Sequence, residues 1–301
     1  MSVTAVISHI ARASLHDGPG VRTVVYFKGC ALRCAWCHNP ETLSAVPEVL
    51  FAASRCIGCG RCAALCPTCH LPDGTFDRAA CTACGRCAAV CPSEALTVSG
   101  KTETVDSVMA EIMKDAHYYS QNGGVTLSGG ECLLQADFAA ALLAQCRERG
   151  IHTAIETALF VPWGQVEKVW PLCDKVFADL KLADSDRHAL YTGHPNARIL
   201  ENLRRLAAAL PERVTVRIPL IPGVNTREED TAAFARALAP CAPQLAGVEL
   251  LRYNTLAAGK YAVAGRPYTD FGAAQTDDAM RAHCFALEEA LGHTVAVFTA
   301  I

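Results

Sequence analysis

Long apolar runs are missing from this sequence. At no point do about 18 apolar residues follow one another, so no membrane-spanning helix is expected. The opening residues, Met1-Ser2-Val3-Thr4, carry neither a basic segment nor an extended apolar one, so no signal peptide is read and a cytoplasmic location is expected. An excess of charge is missing too: Lys and Arg number 27 against 30 Asp and Glu, a formal net charge of −3, with no run of like charges. Neither a nucleic-acid groove nor a basic membrane patch is therefore expected. Low-complexity segments are absent as well. With 51% hydrophobic and 19% charged residues, the 301-residue chain can bury a sizeable core, and disorder is not expected.

Cysteine is what the chain has in excess, 17 in all. A chain this long, without an export signal, has no need of disulfide staples. In a reducing compartment, clustered cysteines bind metal or do redox chemistry. Twelve lie between Cys30 and Cys91; Cys132, Cys146, Cys173, Cys241 and Cys284 are scattered and read as small apolar residues.

After residue 100, short β-branched runs alternate with longer amphipathic stretches. The strand candidates are Gly124–Leu127, Thr153–Ile155, Lys175–Ala178, Val214–Pro219, Val248–Leu251 and Val295–Phe298. The helix candidates are Val105–Gln121, Leu134–Arg149, Trp163–Leu172, Ala197–Leu210, Glu228–Ala239 and Asp277–Leu291. Such alternation predicts βα units around a parallel sheet. Ala5–Ala11 and Val21–Phe27 read as strands flanking the turn Asp17-Gly18-Pro19-Gly20. Residues 50–98, rich in Cys, Gly, Pro and Ala, break the pattern and are expected to form a small inserted domain, leaving a main domain of residues 1–49 and 99–301.

Cys30, Cys34 and Cys37 spell C-x3-C-x2-C. Three thiolates this close on one loop can hold three irons of a 4Fe–4S cluster. No fourth cysteine stands nearby, so the fourth iron stays open, as a catalytic metal requires. A zinc site or a chance cluster is the alternative reading, the latter disfavoured by the preceding strand that ends in Gly29. Inside the insert, Cys56, Cys59, Cys62 and Cys66-Pro67 repeat as Cys81, Cys84, Cys87 and Cys91-Pro92. Both match the bacterial ferredoxin run, in which the fourth cysteine of each run serves the other cluster. One cluster is then expected on Cys56, Cys59, Cys62 and Cys91, the other on Cys81, Cys84, Cys87 and Cys66, with a pair of zinc sites as the alternative. Cys69, followed by His70, fits neither run and is read as a free thiol.

The first motif resembles the signature of the radical S-adenosylmethionine superfamily. The flanking segments His16-Asp17-Gly18-Pro19-Gly20-Val21-Arg22-Thr23 and His38-Asn39-Pro40-Glu41 make the chain, over essentially its whole length, similar to the activating enzymes of glycyl radical enzymes, the group that includes pyruvate formate-lyase activase. The resemblance implies an α/β fold, a partial TIM-type (β/α)6 barrel with an inserted ferredoxin-like two-cluster domain. It implies reductive cleavage of S-adenosylmethionine to methionine and a 5′-deoxyadenosyl radical, which takes a hydrogen from a glycine Cα of a partner glycyl radical enzyme. The implied cofactors are three 4Fe–4S clusters, S-adenosylmethionine and a monovalent cation near Glu156 and Asp179. The implied protein is a monomer, reduced by flavodoxin or ferredoxin.

In βα barrels chemistry collects at the C-terminal ends of the strands, and the family's elements fall there. By resemblance, Ser128-Gly129-Gly130-Glu131 receives the ammonium of S-adenosylmethionine; an ordinary strand-to-helix turn is the alternative. Glu156-Thr157 takes the place of an Asp-Thr pair. Asp179 and Lys181, two apart and so on one face, are expected to meet the ammonium and the carboxylate, or else to be a surface pair. Arg217 lies inside an apolar strand, where a buried charge needs a partner, and is expected to touch ligand. Trp36 is expected on the adenine, or else as core filler, and His38 is expected among the cofactor-binding residues. Asn254 stands where pyruvate formate-lyase activase has a histidine; it keeps hydrogen bonding but not charge. Asp17 and its neighbours are expected to meet the partner's glycine loop, braced by Arg22, although a plain β-turn fits the composition. Two other functions compete. A radical enzyme acting on a small molecule or another peptide would need a substrate motif, and none is evident. An electron-transfer module would leave Cys30, Cys34 and Cys37 without a role.

Overall fold

The computed structural model describes residues 3–66, 76–119 and 122–299. Cys69 and the expected helix end at Gln121 lie outside these residues. The chain starts with β1 (Thr4–Ser14) and β2 (Arg22–Phe27), an antiparallel pair. β3 (Glu48–Phe51), α1 (Arg61–Leu65), α2 (Arg86–Ala89) and β4 (Leu96–Ser99) follow, then β5 (Lys101–Thr104) and α3 (Val105–Met113). Strands and helices then alternate: β6 (Gly124–Gly129), α4 (Ala136–Glu148), β7 (His152–Thr157), α5 (Trp163–Val169) and β8 (Lys175–Asp179). The rest is α6 (Ser185–Thr192), α7 (Ala197–Ala209), β9 (Val214–Leu220), α8 (Glu228–Leu238), β10 (Gly247–Arg252), α9 (Ala257–Ala264), α10 (Asp277–Ala290) and β11 (Val297–Thr299).

Nine strands form one sheet in the order β11-β10-β9-β8-β7-β6-β2-β1-β5. From β2 to β11 every neighbouring pair is parallel; β1 runs antiparallel to both β2 and β5. A mixed α/β fold with a central parallel sheet is thus what the alternating pattern predicts, and its geometry is consistent with a partial TIM-type barrel. No helix among the described residues is long and apolar enough to cross a membrane.

The two faces of the parallel strands differ sharply. Val125, Leu127, Ile155, Val176, Val216, Ile218, Val248 and Leu250 are buried in one core with Phe138 and Leu142 of α4 and Ile199, Leu203 and Leu206 of α7. Each such side chain contributes roughly 1.5–3 kcal/mol of apolar burial. The alternate positions point the other way because the strand repeat is two. They carry Thr126, Ser128, Glu156, Phe177, Asp179, Thr215, Arg217 and Glu249. The inner face is therefore charged where the outer face is apolar, and it is the inner face that builds the site.

The expected helix Val105–Gln121 stops at Met113. The chain turns there because the Asp115 carboxylate accepts from Arg12 Nε (2.9 Å) and from Thr23 Oγ1 (2.9 Å), tying it to β1 and β2. The expected strand Val295–Phe298 shifts to Val297–Thr299, and α1, α2, α6, α9, β3, β4 and β5 add to the expected set. β3 and β4 pair antiparallel in a separate two-stranded sheet, where Val49 and Leu96 bury Cys87 between them. In the cysteine repeat, Gly58 (φ +66°) and Ala83 (φ +53°) adopt the same left-handed backbone, as do Gly60 (φ +69°) and Gly85 (φ +74°). Each pair immediately precedes α1 or α2.

Candidate active site

β2 ends at Phe27 and the chain swings through Gly29 (φ +97°) into the loop of Cys30, Cys34 and Cys37. Backbone hydrogen bonds hold that loop: Gly29 N–H to Thr42 O (2.7 Å), Arg33 N–H to Thr192 O (2.8 Å) and Ala35 N–H to Tyr191 O (2.9 Å). The last two come from the end of α6. The three thiols form one wall of a cavity of about 510 Å³ at the carboxyl ends of the strands. The other walls carry Asp17, Trp36, His38, Gly129, Gly130, Glu156, Asp179, Lys181, Arg217 and Asn254. Residues from seven separate stretches of sequence are thereby gathered around one space.

Three ion pairs, made by two cations, set the electrostatics of this space. Lys181 Nζ lies 2.7 Å from Asp179 Oδ2. Burial works against the Lys181 ammonium, but the charge and hydrogen bond of Asp179, together with Cys34 and Cys37, raise its pKa. Arg217 donates through Nη1 to Glu156 and through Nε to Glu249 Oε2 at 2.5 Å. Burial raises the Glu156 pKa against the pull of Arg217. Ser128 Oγ donates to the second Glu156 oxygen at 2.5 Å. The expected need of Arg217 for a partner is thus met inside the protein, by two carboxylates and the Phe177 ring, with the guanidinium carbon 3.7 Å from the ring centroid.

Two expected site residues stand behind the cavity rather than in it. Glu131 is 2% exposed, and its carboxylate accepts from Thr157 Oγ1 (2.8 Å), Ala158 N–H (2.9 Å) and Leu133 N–H (3.2 Å). It clamps the loop after β6 to the end of β7, and burial pushes its pKa up to about 7. Arg22 is wholly buried; it donates to Pro19 O (3.1 Å) and Thr126 Oγ1 (2.5 Å), and Thr126 Oγ1 donates to Asp17 O (2.7 Å). These bonds fix the Asp17–Gly20 turn from beneath. Gly130 packs so closely that a Cβ there would collide with the Gly29 carbonyl oxygen.

Trp36 leans on Tyr191 (5.8 Å between centroids) and Phe271 (5.9 Å), and its buried Nε1 has no protein partner. Asn254 is exposed at the rim and turns Oδ1 to Leu256 N–H (2.8 Å). Sequence reasoning missed Lys260, which also lines the cavity. Its Nζ donates to His38 O (3.1 Å) and Asn39 Oδ1 (2.8 Å), bracing the loop just after Cys37. It missed Glu249 as well, although a glutamate amid Val248, Leu250 and Leu251 is itself a signal of a buried partner.

Burial pushes the Cys30 and Cys34 thiols up to about 12, with the Lys181 charge pulling the other way. Ligation must therefore displace protons from both. Among the described residues, no three His, Cys, Asp or Glu side chains converge closely enough to share one ion. Cys132, Cys146, Cys173 and Cys241 are buried as small apolar residues, and Cys284 is half-buried.

A parallel sheet with a three-cysteine loop and a charged cavity at its carboxyl edge is the arrangement of a radical S-adenosylmethionine protein. The chain matches the Radical SAM superfamily over residues 56–235. It is 42% identical over 271 residues to the benzylsuccinate synthase activating enzyme of Thauera aromatica, covering 86% of this chain and 82% of that one. It is 38% identical over 302 residues to the indoleacetate decarboxylase activating enzyme of Tractidigestivibacter scatoligenes, covering 96% and 95%. The crystal structure of a radical SAM methyltransferase from Sphaerobacter thermophilus covers 92% of this chain and 66% of its own at a TM-score of 0.55 and 15% identity, a likeness of fold. The chain belongs to the radical SAM superfamily and, within it, to the activating enzymes of glycyl radical enzymes. Membership implies S-adenosylmethionine and a 4Fe–4S cluster. The residues fit both: three unpaired thiols on one loop, a charged pair opposite, and an indole N–H with no protein partner.

Proposed function

We propose that the cavity binds S-adenosylmethionine against a cluster held by Cys30, Cys34 and Cys37, so that the chain installs the glycyl radical on its partner enzyme. The carrying observation is that the three thiols and the Asp179–Lys181 pair face one another across a single cavity. When bound, the reduced cluster supplies one electron to the sulfonium, and the 5′-deoxyadenosyl radical that leaves takes the glycine hydrogen. The chain's own work is positioning. Lys181 pairs the carboxylate of the amino-acid end, Asp179 accepts from its ammonium, and the backbone of Gly129 and Gly130 lets it approach. Trp36 and His38 flank the adenine, with Trp36 Nε1 free to donate. Asn254 supplies a neutral contact at the rim. Asp17, braced by Arg22, faces the glycine-bearing segment of the partner.

Glu156 and Asp179, each already paired with a cation of the chain, are proposed to share a monovalent cation as well. Residues 50–98 are proposed as a ferredoxin-like insert in the main domain of residues 1–49 and 99–301. It holds two further clusters, one on Cys56, Cys59, Cys62 and Cys91 and the other on Cys81, Cys84, Cys87 and Cys66. It relays electrons from flavodoxin or ferredoxin to the catalytic cluster of a monomeric enzyme.

Anaerobic reconstitution tests this reading. The protein should bind about 12 irons, and Cys30→Ala/Cys34→Ala/Cys37→Ala about 8. The triple variant should yield no 5′-deoxyadenosine under dithionite. Cleavage at the wild-type rate in that variant would place the catalytic cluster elsewhere.

A further inference from the structure

The two cysteine runs are equivalent in sequence and in backbone, yet the structure buries them unequally. The second run is packed against the body of the protein except at Cys84, which is exposed. Cys87 is 6% exposed between Val49 and Leu96, and Cys81, Ala83 and Ala88 lean on the same apolar cluster. A Cβ at Gly85 would touch Val98 of β4 at 3.3 Å. Of the first run, the half-buried Cys62 also leans on that cluster, while the leading end stands free. Residues 53–61 are exposed without interruption, Cys56 and Cys59 included, and nothing lies within 4 Å of where a Cβ would sit on Gly58 or Gly60.

The second run also leads to the catalytic loop. Arg78, three residues before Cys81, donates to Val49 O (2.8 Å) and, through its other amino group, to Val263 O of α9 (2.8 Å). On the same helix Lys260 braces His38 and Asn39 just beyond Cys37, and Tyr261 lines a cavity behind Cys30 and Cys34. Among the described residues, no hydrogen bond of this kind joins the first run to α9 or to the Cys30–Cys37 loop. What the first run carries is charge of one sign. From Val49 to Pro72 the sequence has no acidic residue, while Arg55 and Arg61 flank the exposed cysteines beside Ile57, which is 67% exposed.

We infer that the insert is polarised: its Cys56–Cys59 end is the docking face for an acidic one-electron donor protein, and its Cys81–Cys87 end delivers the electron to the Cys30–Cys37 loop. This rests on the reading that both runs hold clusters. Each encounter moves one electron and no atom. The reduced donor loses it, the first-run cluster gains and passes it to the second-run cluster, and the catalytic cluster ends one electron richer. Opposite charge raises the encounter rate by one to three orders of magnitude, and salt removes the gain.

Stopped-flow reduction of the reconstituted protein by flavodoxin hydroquinone, with each cluster followed by freeze-quench electron paramagnetic resonance, tests the polarity. In Arg55→Glu/Arg61→Glu, the bimolecular rate at low ionic strength should fall tenfold or more and lose its salt dependence, while dithionite reduces it as fast as wild type. Arg204→Glu/Arg236→Glu, an equal charge change on the outward helices α7 and α8, should stay within twofold of wild type. Equal slowing of both pairs, or of neither, would overturn the docking face. Cysteine variants test the direction. Cys84→Ser should leave fast reduction of the first-run cluster and slow the catalytic one, whereas Cys59→Ser should slow everything downstream. The reverse pattern would invert the polarity and keep the relay. Reduction of the catalytic cluster at the wild-type rate in both variants would instead remove the relay itself.

Discussion

Glu156 on β7 and Arg217 on β9 join hands past the intervening strand β8, over the ring of Phe177. These strands share no backbone ladder, since β8 lies between them in the sheet. With Glu249 of β10 on its Nε, the one guanidinium ties four consecutive strands together from the inside.

Arg217→Met should therefore cost more than a lost surface pair. It leaves Glu156 and Glu249 buried without a counter-charge, a change worth about 3–5 kcal/mol. Arg217→Lys should recover only part, because an ammonium lacks the fork that reaches two carboxylates at once. Denaturant titration of the three proteins measures this. Equal midpoints for wild type and Arg217→Met would show that the triad contributes no cohesion.

For Lys181→Ala the expected loss is in binding rather than stability. Removing a hydrogen bond to a charged group costs about 1.5–3 kcal/mol, so the affinity for S-adenosylmethionine should drop by roughly one to two orders of magnitude. Calorimetric titration of the unreduced protein reads it, with iron content as the control. Unchanged affinity would return Lys181 and Asp179 to an ordinary ion pair.

The buried carboxyl of Glu131 gives a pH dependence with a definite sign. Its folded pKa of about 7 lies above the unfolded value near 4.5, so between these two the native state holds more protons than the unfolded one. Stability must then fall as pH rises from about 4.5 to about 7, by on the order of 3 kcal/mol from this group alone. Glu131→Gln, which cannot ionise, should show a flatter profile across that window even if it starts from a lower level. Parallel profiles for the two proteins would mean that Glu131 titrates normally.

Gly130→Ala probes how the two halves of the site are fitted together. The added methyl would meet the Gly29 carbonyl oxygen at the root of the cysteine loop. Iron binding at Cys30, Cys34 and Cys37 should drop although no ligand has changed. Full iron content with unimpaired cleavage of S-adenosylmethionine would show that the backbone can give way there.

The helices read well from sequence where one face is apolar, as with Ile199, Leu203 and Leu206 of α7. α6 was illegible because what it buries is polar: His188 and Thr192, joined by the Thr192 hydroxyl donating to the His188 carbonyl at 2.8 Å. α9 is short and holds a glycine, and β5 is Lys-Thr-Glu-Thr, so neither shows a period. At the site, residues in local motifs were found, and the cavity gathers them. What no local pattern could show is pairing between distant segments. Arg217 announced a buried charge, but its partners sit 61 and 32 residues away. Glu131 sits in a recognisable motif, yet its carboxylate turns to Thr157 and Ala158 on the next strand.

The brace from Lys260 to His38 spans 222 residues, Arg266 to Glu48 spans 218, and Arg78 to Val263 spans 185. Chains emerge from the ribosome N-terminus first. The cysteine loop is among the earliest parts made, while the helix that fastens it is among the last. A nascent chain thus exposes Cys30, Cys34 and Cys37 on a loop without its brace for most of its synthesis. A truncation before α9 would leave every catalytic cysteine in place on a loop held by its bonds to Thr42 and to the end of α6 but without the brace from Lys260.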